Sequence, residues 1–88
     1  MNFIFDEDQL DSLGYQMMKE KKIGYAIELF KVNIEEYPDS AAAYKSLGDA
    51  YQEAGEIALA IENYKKSLSL NPDNDETRQV LKKLEKNR

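Results

Sequence analysis

Apolar residues recur three and four positions apart along the chain, in short blocks divided by polar breaks that carry proline or glycine. That spacing puts each block on one face of an α-helix rather than on one face of a strand. The blocks are Leu10, Leu13, Gly14 and Met17; Ala26, Ile27, Phe30 and Ile34; Tyr44, Leu47, Gly48 and Tyr51; and Ala60, Ile61, Tyr64 and Leu68. A last stretch keeps one apolar face through Val80, Leu81 and Leu84 and is polar elsewhere. The pattern predicts five helices and an all-α fold.

The breaks agree with this reading. Tyr37-Pro38-Asp39-Ser40 and Asn71-Pro72-Asp73-Asn74 each stop a helix with proline and offer a side-chain oxygen to start the next. Asp6 with Gln9, and Asp73 with Glu76, have the spacing of a capping box. Gly55 is expected to close its helix in a left-handed conformation, and Lys21 stands at the matching place earlier in the chain.

The blocks are copies of one another. Ser12-Leu13-Gly14 returns 34 residues later as Ser46-Leu47-Gly48, Ala26-Ile27-Glu28 as Ala60-Ile61-Glu62, and Pro38-Asp39 as Pro72-Asp73. A fixed period of this length marks a repeated supersecondary unit. The predicted organisation is an N-terminal extension over 1–6, a helical hairpin over 7–40, a second over 41–74, and a capping helix over 75–88. Gly14 and Gly48 fall where two helices approach closely. Two hairpins are fewer than a stable array usually needs, so the first face is expected to be covered by Phe3, Ile4 and Phe5, by a second copy of the chain, or by an upstream domain.

Composition narrows the chemistry. The 88 residues contain neither cysteine nor histidine, which removes disulfides, thiolate metal sites and the commonest general base. Net charge is −5, with nine acids against four bases in residues 1–40. An acidic body argues against nucleic acid as ligand, because phosphate contacts dominate that affinity. Lys82, Lys83, Lys86 and Arg88 read as a helix C-terminus complementing its dipole. No apolar run reaches membrane-spanning length. The chain is therefore expected to be soluble, and cytoplasmic if complete as given.

No catalytic set emerges. Asp6-Glu7-Asp8 reads as the acidic first turn of a helix. Asp73-Asn74-Asp75 imitates a calcium loop, but Arg78 stands where the loop needs glycine and Leu84 where it needs glutamate. The serines have no adjacent base and there is no Gly-rich phosphate loop. Tyr44, Tyr51 and Tyr64 fall on core positions of the repeat. The expectation is a non-enzyme without metal or cofactor.

The period and the residues at Leu10, Leu13, Gly14, Met17, Ala26, Phe30 and Pro38, repeated as Tyr44, Leu47, Gly48, Tyr51, Ala60, Tyr64 and Pro72, resemble the tetratricopeptide repeat. Leu10 and Tyr44 replace the family's tryptophan, Met17 its tyrosine, and Asn33 and Ser67 a late alanine. The resemblance implies antiparallel hairpins stacked as a short right-handed α-solenoid, with a concave groove formed by each repeat's first helix. It also implies a protein–protein interaction module whose groove residues are Asp8, Asp11, Ser12, Tyr15, Met18, Lys19, Ala42, Lys45, Ser46, Asp49, Gln52 and Glu53, joined by Glu76, Gln79, Val80 and Lys83. Where relatives clamp the acidic tails of heat-shock chaperones with basic and amide residues, this chain has Asp11, Tyr15, Ser46, Glu76 and Val80. A neutral or basic peptide is therefore the expected partner, with Tyr15 and Met18 as candidate anchors and a homodimer as a further possibility. Leu13-Gly14-Tyr15, Glu36-Tyr37-Pro38-Asp39-Ser40 and Tyr64-Lys65-Lys66-Ser67-Leu68 also resemble the tetratricopeptide tails of some bacterial hydrolases. That likeness implies the alternative of a non-catalytic appendage that orients or dimerises an enzyme domain.

Overall fold

A computed structural model describes residues 6–87. Phe3, Ile4 and Phe5, expected near the first face, and Arg88 of the basic cluster lie outside the described residues. Within them the chain forms α1 (Glu7–Lys19), α2 (Ile23–Glu36), α3 (Ala41–Glu53), α4 (Ile57–Leu70) and α5 (Asp75–Lys86). Each helix packs on its neighbours in sequence, and α1 also lies against α3. The result is an all-α helical-repeat solenoid.

Side chains cap the starts of α1, α3 and α5, whereas α2 and α4 begin without a side-chain cap. Asp6 caps α1, its carboxylate accepting from the Gln9 amide at 2.8 Å while the Gln9 side chain accepts from the Asp6 amide at 3.0 Å. Ser40 caps α3 through the Ala43 amide. For α5 the expected Asp73–Glu76 box does not form: Asn74 is the cap, accepting from the Thr77 amide at 3.1 Å. The proline at 72 leaves two more turn residues before the helix begins, so the capping role passes one residue on.

The turns inside both hairpins close in the same way. Lys21 and Lys22 donate back to the carbonyls of Met18 and Met17, and Gly55 and Glu56 donate to those of Gln52 and Tyr51. This pair of bonds needs one residue with positive φ after the helix. Gly55 supplies it at φ 80°, and Lys21 is forced to it at φ 65°.

Aromatic rings fill the space left by the two helical glycines. A methyl group on Gly14 would stand 2.2 Å from the Phe30 ring, and one on Gly48 would stand 2.8 Å from the Tyr64 ring. Phe30 joins Ala26, Leu47 and Ala50 in one core cluster, and Tyr64 joins Ala60, Ile61 and Leu81 in the next. Asn33 and Ser67, equivalent positions, each donate to the first carbonyl of the preceding helix, Glu7 at 3.3 Å and Ala41 at 2.7 Å. They occupy the alanine position of the resemblance as hairpin ties.

The outward face of α1 differs from its copy. Ala43, Leu47 and Ala50 are buried, whereas Gln9, Leu13 and Gln16 are exposed, Leu13 at 37% against 5% for Leu47. Leu47 and Ala50 belong to the cluster that Ala26 and Phe30 of α2 complete, and no described helix takes that place beside Leu13.

Two outcomes are expected. Gly14→Ala should destabilise by about 1–3 kcal/mol through overpacking against a fully buried ring, read from urea unfolding midpoints. Lys21→Gly should stabilise by up to about 1 kcal/mol because glycine adopts positive φ freely, and an unchanged melting temperature would contradict it.

Candidate functional site

The face that the resemblance makes concave is built by α1 and α3, which lie against each other, and Glu76 of α5 reaches Lys45 at one end. Because these helices are copies stacked in register, residues 34 apart come side by side. Tyr15 thereby meets Asp49, and Asp11 meets Ser46 next to its own counterpart Lys45.

One carboxylate gathers most of the face. Asp49 accepts from the Tyr15 hydroxyl at 2.5 Å through one oxygen and from the Tyr64 hydroxyl through the other. Lys45, one turn earlier on α3, pairs with Asp49 at 3.0 Å and reaches Glu76 of α5 at 3.9 Å. Its ammonium also stands 5.9 Å from the centre of the Tyr15 ring, within cation–π range. The Gln52 side chain lies 3.0 Å from the Tyr64 hydroxyl, and Ser46 donates to Asp11. Tyr15 meets Phe30 edge to face, centroids 5.2 Å apart.

These contacts shift three titrations. The Tyr15 and Tyr64 phenols are pushed well above their ordinary range, first by burial and then by hydrogen bonding to the Asp49 carboxylate, which favours the protonated form. Burial also raises the Asp11 carboxyl, with Glu7 and Asp49 adding to the shift and Ser46 and Lys45 opposing it.

The sixteen predicted positions therefore fall into distinct groups. Asp11, Tyr15, Lys45, Ser46, Asp49, Gln52 and Glu76 are joined, directly or through Tyr64, in the polar contacts just described. Met18, Lys19 and Glu53 border an open hollow with Tyr15 and Lys21 at the C-terminal ends of α1 and α3. Met18 packs on the core beneath it. Val80 packs against the second core cluster. Asp8, Ser12, Ala42, Gln79 and Lys83 lie exposed and outside the polar contacts.

Tyr64 was not among the predicted groove residues, since its position reads as core. The signal lay in its pairing with Phe30: a tyrosine at a fully buried phenylalanine position has a hydroxyl that must find a partner.

Among the described residues no group of three acids is placed to hold a metal ion, and no helix is long and apolar enough to cross a membrane.

The tyrosine shifts give a pH dependence. Unfolded phenols lose their protons near pH ~10, whereas Tyr15 and Tyr64 in the folded chain hold theirs to higher pH. The folded state thus binds more protons above that point, so stability present below about pH 10 is lost as pH rises past it. A Tyr15→Phe/Tyr64→Phe double variant should show a shallower alkaline loss in chemical unfolding; an equal slope would contradict the assignment.

Comparison with known proteins agrees with the geometry. Residues 41–74 match the family model of the tetratricopeptide repeat. The chain is also similar to the Arabidopsis thaliana tetratricopeptide repeat domain-containing protein PYG7, chloroplastic, at 30% identity over 64 residues. The match takes in 73% of this chain but spans only 21% of that relative's length. Repeats of this kind are protein–protein interaction modules. Residues 41–74 are thus a tetratricopeptide repeat, and the first hairpin keeps the same 34-residue register.

Proposed function

We propose that the chain binds a neutral or basic peptide segment of a partner protein along the concave face of α1, α3 and α5. The supporting observation is the charge of that face. Its exposed acids Asp8, Glu53 and Glu76 flank a centre where the cation Lys45 is already paired with Asp49. An acidic peptide would meet like charge at that centre, whose one cation is already paired, while the exposed Lys19 and Lys83 stand apart from it. The hollow of Tyr15, Met18, Lys19, Lys21 and Glu53 offers a ring and a thioether to an apolar side chain, with one carboxylate and two ammonium groups at its rim.

Binding is weak on this reading, because the face is shallow and much of its polar surface is satisfied within the chain. Titrating labelled basic, neutral and acidic peptides of equal length should rank affinity in that order. The preference for the basic peptide should shrink as salt rises, since exposed charges are screened over roughly 10 Å at 0.1 M. Tightest binding by the acidic peptide would overturn the proposal.

A further inference from the structure

Lys45 is the least ordinary member of the concave face. Its position in the first repeat is held by Asp11, so the two repeats carry an acid and a base at equivalent sites. The Lys45 ammonium lies 3.0 Å from Asp49, 3.9 Å from Glu76 and 5.9 Å from the Tyr15 ring centre. Two carboxylates and an aromatic face are the surroundings that a protein offers a foreign ammonium or guanidinium group. Here the chain's own lysine fills them. Lys45 is partly solvent-exposed at 29%, and Glu76 is exposed at 78%, so the seat opens to the groove rather than into the core. The lysine stem is long and flexible, and its ammonium can leave the seat for water without breaking the fold.

We propose that Lys45 is an internal competitor that determines the groove's charge preference: it occupies the seat a partner's lysine or arginine would take, and such a partner binds by displacing it. This rests on the groove reading above and adds a residue-level prediction to it. Affinity for a basic peptide is then lower than the acids of the face would give. Removing the resident cation should raise it, while a neutral peptide gains nothing.

The test titrates a labelled arginine-containing peptide and a neutral peptide of equal length against the wild-type chain, Lys45→Met, Lys45→Arg and Lys82→Met. Lys82 is exposed on α5 and belongs to none of the groove contacts, so its variant changes net charge equally without opening the seat. Lys45→Met should bind the basic peptide about five- to tenfold more tightly, the scale of a partly exposed ion pair. Lys45→Arg and Lys82→Met should stay near wild type, and the neutral peptide should not distinguish the four proteins. In the wild type, the Lys45 side-chain and Tyr15 ring resonances should shift together as the basic peptide is added, a readout that requires no variant to fold. Equal tightening by Lys82→Met would reduce the effect to net charge and overturn the inference. So would basic-peptide binding that leaves Lys45→Met unchanged and the Lys45 resonances unmoved, with the groove reading still standing. Absence of any preference for the basic peptide in all four proteins would overturn both.

Discussion

The Asp49 carboxylate carries three partners from three places in the chain: the Tyr15 hydroxyl of α1, the Tyr64 hydroxyl of α4, and the Lys45 ammonium one turn away on α3. Without it, the half-buried Tyr15 phenol would lose its acceptor and the fully buried Tyr64 phenol would keep only the Gln52 side chain, and an unsatisfied buried group costs about 1–3 kcal/mol. In a chain this short, whose core is two small clusters, that is a large share of the total stability. The contact also ties the two hairpins together on their concave side, while Phe30 and Leu47 tie them through the core.

Duplication explains how such a contact arises. Stacked repeats place equivalent positions next to each other, so two copies of a residue would meet as identical neighbours. In this chain the equivalents have diverged into complementary pairs. Tyr15 faces Asp49, and the core ring that is Phe30 in one hairpin is Tyr64 in the other, its hydroxyl running past Gly48 to the concave face. The glycines and rings set the distance between helices. The polar residues then fix which side chains the groove still offers to a partner.

The fold was legible because its signals are local and repeated. Helical spacing, the proline turns and the period located the helices, and Gly14 and Gly48 announced their close contacts. Asn74 rather than Asp73 as the last cap was not legible, since both are good caps and the proline turn's geometry chooses between them. The concave face was readable as a set of positions but not as a network. Whether Tyr15 projects to a partner or bonds to Asp49 depends on the stacking distance between hairpins, which no single helix encodes. Lys45 shows the same limit. In the sequence it is one cation among scattered acids, and only the packing of α1, α3 and α5 places it between Asp49, Glu76 and a ring.

The central claim is that Asp49 holds the concave face together. The direct measurement is chemical unfolding of Asp49→Ala beside Asp39→Ala, the latter removing an acid from an exposed turn. The account predicts a loss of about 1–3 kcal/mol for Asp49→Ala, as the Tyr15 hydroxyl loses its acceptor and the Tyr64 hydroxyl keeps only Gln52, and about 0.5 kcal/mol or less for Asp39→Ala. Equal, small losses for the two variants would contradict it.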